Sequence, residues 1–419
     1  MKHNPILKLI RLVMIIPVLL LLFSSCGQEE PYSAPSPGFT PVTLSVSVSN
    51  DAAPASGDPA SVVKDLCILQ FYANNDGSFG TLRHAGMCDP TAGSKYTTRL
   101  LQSNNGEMYK FVVVANLPRH GFVYYQNLIG KSYAEVQQAL LSESSEARLD
   151  FTAATPFPMF GTPKNGTPQA IGATLNLGSV SLVRAVARVD IGIGEKSANA
   201  DTWTKNGVRF NMNQVQIWKA GKQYAYMPLE SRILFDEETG ELDIKLPSPV
   251  GAANTTPLTY SDTDITNGTY CAGKIYLPEA DLLWGDDKSG TVFDTNHTNR
   301  LAIIVGGYYN GSTKETFYRV DFTNEQTLPI TKLDILRNHH YRFTIKSVTD
   351  EGYGTAELAY NSVPKNIGFT TEVILWDNTF EASVPSPIGY RMLYNDLNGG
   401  NVLWRNTGSS PPYIRTYNF

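Results

Sequence analysis

The chain has 419 residues, 42% of them hydrophobic and 17% charged, enough to build two or three packed domains and too apolar for wholesale disorder. The net charge of −5 and the scattered 34 Lys and Arg give no support to nucleic acid as a partner, since no basic run or basic–aromatic stripe is present. With 22 Tyr, 18 Phe and 34 Gly and few long helical patterns, the composition points to an all-β protein with many turns.

The chain opens with Lys2, Lys8 and Arg11 around the start of the apolar run "LVMIIPVLLLLF" (12–23). That run is short for a membrane span and suits a signal peptide over residues 1–25. It ends in "FSSC", where Ser24 and Ser25 before Cys26 resemble a bacterial lipobox, with Phe23 in the place that motif usually gives to Leu. On that reading Cys26 is the lipidated first residue, carrying palmitate-type acyl chains; the alternative is an ordinary signal peptide with an incidental Cys. Each buried methylene contributes about 0.8 kcal/mol, and two or more chains anchor stably. The following "GQEE" resembles the acidic signal of surface-exposed outer-membrane lipoproteins, and residues 26–40 read as a linker.

Next comes "PVTLSVSVSN" (41–50). Val42, Leu44, Val46 and Val48 alternate with Thr and Ser, the period of a strand with one buried and one wet face. The stretch "DAAPASGDPAS" (51–61) reads as a tether. "VKDLCILQFYAN" and "TLRHAGMC" flank the turn cluster "ANNDGSFG" and predict a hairpin. With Gly77-Ser78 at its tip, Cys67 and Cys88 stand opposite, close enough to bridge in an oxidising compartment; a one-residue slip separates them, and two buried free thiols are the equal alternative. Cys271 has no evident partner, and the absence of a CxxC leaves a zinc or redox site without support. "GEMYKFVVVANL" (106–117) has the continuous apolar character of a strand buried on both faces. Ser132 and Glu135 in "SYAEVQQALL" predict a capped helix. "VSLVRAVARVDIGIG" (180–194) predicts another long strand, and "EKSANADTWTKNG" a loop.

A second β-rich region runs through "VRFNMNQVQIWK", "KIYLPEA", "NRLAIIVGGYYNG", "ETFYRVDF", "HHYRFTIKSV" and "TTEVILWDNTF", the spacing of a Greek-key sandwich. Two sandwich domains are expected, over residues 41–182 and 183–383. An extension, 384–419, carries a hairpin candidate around Asn398-Gly399-Gly400. His339 and His340 are neighbours in a strand, so they point apart and do not chelate one ion. "DTDITNG" (262–268) has its Gly one place late for a calcium loop. No catalytic motif appears, so neither a catalytic role nor a cofactor or metal is expected.

Several stretches together resemble the fimbrillin family of type V pilus lipoproteins: "KFVVVANL" before "NLIGKSYAEVQQAL", "FPMFGTP", "VSLVRAVARVDIGIG" with Arg184, Ala187 and Arg188, "LDILRNHHYRFTIKSV" with Arg337, Asn338, His339 and Tyr341, and "VILWDNTF". They run in family order from about residue 40 to 383. The resemblance implies two transthyretin-like β-sandwiches, one short helix in the first, and assembly by donor-strand exchange. It makes 41–50, through Val42, Leu44, Val46 and Val48, a strand that completes the first sandwich until another subunit's strand replaces it. The implied partners are other pilus subunits, the outer membrane through the lipid, and an adhesive target. The family's protease cuts after an Arg, whereas here no Arg lies between Cys26 and Arg83, and Lys64 is the nearest basic residue. That departure leaves open an uncut subunit that keeps its lipid as the pilus anchor or tip, or a subunit cut by a protease of other specificity, so stalk, tip and anchor are all compatible with the sequence. The competing reading is a surface lipoprotein that binds glycan or another ligand, with Trp376 and Trp404 as an exposed platform.

Overall fold

The computed structural model describes residues 38–48, 59–91, 94–104, 106–117, 125–198, 200–236, 242–282, 299–323 and 333–376, together with the strands 401–404 and 414–417. The expected signal peptide, Cys26, and most of the stretches read as linker, tether and C-terminal extension lie outside the described residues.

Eight strands form one sheet: β1 (Phe39–Val48), β2 (Leu66–Ala73), β3 (Phe79–Met87), β4 (Asp89–Pro90), β5 (Lys95–Leu101), β6 (Tyr109–Ala115), β7 (Met159–Gly161) and β8 (Leu175–Arg184). Their order is β3-β2-β6-β7-β8-β1-β5-β4. The sheet folds over on itself. Val42, Leu44, Leu100, Val180 and Leu182 from one half share a core with Ile68, Phe111, Val113 and Met159 from the other. The other face of β2, β3 and β6 buries Leu69, Phe71, Leu82, Val112 and Val114 under helix α1 (Tyr133–Ala139). β6 therefore packs on both faces, which is why its sequence is a continuous apolar run. The helix starts where the capping box predicts: Glu135 N donates to Ser132 Oγ at 3.3 Å, and Ser132 N donates to Glu135 Oε2 at 2.8 Å.

The next strands are β9 (Ala187–Ile193), β10 (Glu195–Lys196), β11 (Trp203–Thr204), β12 (Phe210–Trp218), β13 (Leu234–Phe235), β14 (Leu242–Asp243), β15 (Leu258–Ser261), β16 (Tyr270–Leu277), β17 (Ala302–Tyr309), β18 (Glu315–Asp321), β19 (His339–Val348) and β20 (Ile367–Leu375). Two four-stranded sheets, β15-β12-β17-β18 and β16-β9-β19-β20, enclose one core that includes Val189, Ile191, Val215, Ile303, Tyr318 and Phe343. The protein is all-β, built from β-sandwich layers, with β8 in the first sheet and β9, only two residues later, in the second.

Two local expectations need correction, and one further element gave no signal in the sequence. "EKSANADTWTKNG" carries the small ladder β10–β11, which lays Trp203 over Gly192; a Cβ on Gly192 would sit 2.2 Å from the indole. A second short helix, α2 (Ala356–Tyr360), caps with Thr355 and covers Ala302 and Ile304. At five residues it is too short to show a helical period. In the extension, β21 (Asn401–Trp404) pairs with β22 (Ile414–Tyr417), so Asn398-Gly399-Gly400 precedes the ladder and is not its turn.

The two core regions are stitched together by residues 224–228, which cross beside α1. Tyr226 N donates to Leu140 O at 3.1 Å, and Tyr133 Oη donates to Pro228 O at 2.9 Å. Arg337, fully buried, donates to Tyr226 O at 3.1 Å and Ala225 O at 3.2 Å, and pairs with Glu279 at 2.6 Å.

Candidate functional site

β1 is an interior strand whose two ladder partners are both remote in sequence. It pairs antiparallel with β5, from Phe39↔Leu101 to Ser45↔Lys95. On its other side it runs parallel to β8, from Val42↔Leu175 to Val48↔Leu182, with a bulge between Thr43 and Ser45. The period-two pattern decides the faces. Val42, Leu44 and Val46 are 0%, 2% and 7% exposed, whereas Val48 at the end is half-buried. Thr40 also turns inward, and its hydroxyl donates to Gly172 O. Phe39, Pro41, Thr43 and Ser47 face solvent.

Two kinds of interaction hold β1. Its inner residues each contribute about 1.5–3 kcal/mol by burial, before chain entropy is subtracted. Ladder hydrogen bonds add about 0.5–1.5 kcal/mol apiece. Apart from the Thr40 hydroxyl, neither kind depends on this particular strand. The other described polar contacts of β1 are backbone ladder bonds, and its inward positions call for alternating apolar side chains. Without β1, two inner strand edges and an apolar slot would face water, which is the geometry that accepts a strand from another chain.

Cys67 and Cys88 are not bridged; of the two alternatives the sequence left open, the structure has the pair of buried thiols. The hairpin turns about Asp76: Asn74 N donates to Ser78 O at 3.0 Å, and Asp76 Oδ1 accepts from Ser78 N at 2.9 Å. Two irregularities in the β2–β3 ladder then place Cys67 opposite Met87. Cys67 consequently faces α1, while Cys88 lies in the core between the sheet halves. Both are buried free thiols, as is Cys271. Burial foremost pushes the Cys67 thiol well above its ordinary value and the Cys88 and Cys271 thiols up to about 12, so none is a ready nucleophile.

His339 and His340 point to opposite faces of β19. His340 meets Asp190 of β9 at 2.8 Å, a pairing 150 residues apart that only the parallel ladder creates. Asp190, Asp201 and His340 bring ligand atoms within 4.8 Å of one another. Their charges are already matched, however: Arg188 reaches Asp190 at 2.6 Å and Asp201 at 2.8 Å, and Arg342 reaches Asp201 at 3.0 Å. Two guanidiniums occupy the space a cation would need. In "DTDITNG", Asp264 is held by Arg148 at 2.7 and 2.9 Å, so that carboxylate is committed as well. Trp376 is 3% exposed, edge-on to Phe157 and stacked with Tyr276, and offers no platform; the side chain of Trp404 lies outside the described residues. Sequence reading missed the Arg188–Asp190–Asp201–Arg342 network. Its signal was the run of polar residues alternating with apolar ones in "ARVDIGI" and "HHYRFTI".

No family model matches the chain, and no curated protein matches it. Solved structures do. One is the tip fimbrial protein Mfa3 from Porphyromonas gingivalis with a C-terminal truncation, 15% identical, covering 81% of this chain and 100% of that one at a TM-score of 0.48. Another is a fimbrilin from the same organism, 14% identical, covering 80% and 97% at a TM-score of 0.44.

Proposed function

We propose that this chain is a non-enzymatic structural subunit of a cell-surface pilus, and that β1 is a replaceable strand that completes the first sandwich until assembly. One observation supports the reading: an N-terminal strand sits inside the sheet between two partners remote in sequence, held by backbone ladder bonds and an alternating apolar face. The partner is a strand of another subunit, and the lipidated Cys26 ties the chain to the outer membrane. With no Arg between Cys26 and Arg83, a protease specific for Arg leaves β1 in place. Release of β1 then takes a protease of another specificity, and a subunit that stays uncut keeps its lipid and its β1 at an end of the pilus, as tip or anchor. Residues 384–419 act between subunits or at a pilus end and contribute little to the second core. A chain ending at Ser383 should melt within a few degrees of the full chain yet assemble differently, and failure to fold would overturn that assignment. The rival reading of glycan capture on exposed tryptophans loses Trp376, which is buried.

The test introduces the missing site. Ala52→Arg protein, cut with trypsin, should form SDS-resistant ladders and fibres visible by electron microscopy, while uncut protein stays monomeric. Cut protein that remains monomeric with an unchanged first sandwich would refute the role of β1.

A further inference from the structure

The segment that follows β1 is held in a different way from β1 itself. Arg184, fully buried, donates from Nε and Nη2 to the Ala60 carbonyl at 2.9 and 2.6 Å. Its Nη1 and its backbone N–H both donate to Asn338 Oδ1, each at 3.1 Å. The guanidinium also lies 4.8 Å from the ring centre of Trp376, whose backbone N–H donates to Asn338 O at 2.8 Å. One side chain of β8 thereby joins the end of the tether to the loop before β19 and the residue after β20.

A second buried side chain grips the next residues. Asn116 takes a left-handed conformation, φ 60°, that Asn tolerates better than most residues. From there Nδ2 donates to Val62 O and to Phe157 O, both at 2.7 Å, and Oδ1 accepts the Lys64 N–H at 2.8 Å. Its own N–H donates to Asp65 O at 3.2 Å, and Leu117 N donates to Asp65 Oδ1 at 3.0 Å. Lys64 Nζ donates to Ala154 O at 2.7 Å. These bonds come largely from particular side chains to one particular stretch of backbone, so a foreign strand does not reproduce them.

We propose that Arg184 and Asn116 form a permanent clasp that sets the boundary of the exchangeable element. Resting on the reading of β1 as replaceable, the displaced piece ends before Pro59, and residues 60–65 stay seated on both sandwiches while β1 is exchanged. Arg184 and Asn116 are positioning residues. They keep strand replacement from loosening the junction, and they hold Lys64, the one basic residue between Cys26 and Arg83, in bonded structure through both its backbone N–H and its ammonium.

Amide hydrogen exchange on the full chain tests the clasp, with residues 51–57 replaced by the recognition site of a sequence-specific protease. In uncut protein, Arg184→Gln should speed exchange across 61–65 by about tenfold or more, the loss expected for charge-assisted bonds, and leave the β1 amides unchanged. After the cut, with β1 displaced by an excess of a peptide of residues 39–48, exchange across 61–65 should stay within about twofold of the uncut level. If displacement raises it to the Arg184→Gln level, or if Arg184→Gln leaves it unchanged, the clasp is overturned. A cut strand that never leaves refutes the exchange reading and the boundary claim with it. The uncut comparison tells that failure apart, because Arg184→Gln still opens 61–65 there. Should Arg184→Gln not fold, Asn116→Asp serves instead: it keeps the acceptor for Lys64 but sets an oxygen against the Val62 and Phe157 carbonyls. Lysyl endopeptidase should then cut after Lys64 in the variant and not in the parent.

Discussion

His340 Nε2 meets Asp190 Oδ2 at 2.8 Å with both side chains fully buried, and the other ring nitrogen of His340 has no hydrogen-bond partner among the described residues. A doubly protonated ring would bury an N–H without an acceptor, so the neutral ring that donates to Asp190 is the stable form. Burial, reinforced by Arg188 and opposed by Asp190, lowers the His340 pKa to about 4. Asp190 is held ionised far below the usual carboxylate range; Arg188 and His340 outweigh its burial.

The sign of the pH dependence follows. The unfolded chain takes up the His340 proton near its ordinary value, and the folded chain resists until about pH 4. Stability is constant at neutral pH and declines as pH falls through that window, by on the order of 3 kcal/mol in all. His340→Gln should flatten the decline of Tm between pH 6.5 and 4 relative to the parent. An equally steep decline in the variant would show that other groups set it.

Peptide mapping after alkylation under non-reducing denaturing conditions should recover Cys67 and Cys88 as separate alkylated thiols. Cys88→Ser should lower stability by about 1–3 kcal/mol as a buried polar substitution, without the larger loss expected of a severed cross-link. A Cys67–Cys88 linked peptide would contradict the register described above.

These two sites show where sequence is readable and where it is not. The faces of β1 were legible because alternation is a local property of Val42, Leu44 and Val46, and α1 was legible because Ser132 and Glu135 cap within one turn. The β2–β3 register was not, since the turn centres on Asp76 through its own side chain and the ladder then slips twice. Partners of β1 were invisible for a different reason: β5 and β8 are distant in the chain, and nothing local distinguishes a parallel neighbour from an antiparallel one. The same holds for His340–Asp190 and for Arg184–Ala60. Buried arginines in a strand advertise a polar partner, but not which one.

Arg337 and Glu279 form a buried pair, 0% and 2% exposed at their side chains, in the middle of the crossing by residues 224–228. Glu279→Gln leaves a buried guanidinium without its counter-charge and should cost about 3–5 kcal/mol, measured by urea denaturation. The exposed pair Lys314–Glu351, at 3.2 Å, is the control: Glu351→Gln should change stability by about 0.5 kcal/mol or less. Equal effects at the two sites would mean that the crossing does not depend on the ion pair.

The central claim is that β1 can leave and be replaced. The most direct measurement is intact mass under native conditions, on full-length protein carrying a sequence-specific protease site in place of residues 51–57, after cutting and incubation with a labelled peptide of residues 39–48. The account predicts that the cut protein loses its own N-terminal piece and gains one labelled peptide. Uncut protein should gain none, and a peptide with Leu44→Asp should not enter, because it would put a charge into the core at a position 2% exposed. A cut protein that keeps its original strand and takes up no peptide, or one that takes up the Leu44→Asp peptide equally well, would contradict it.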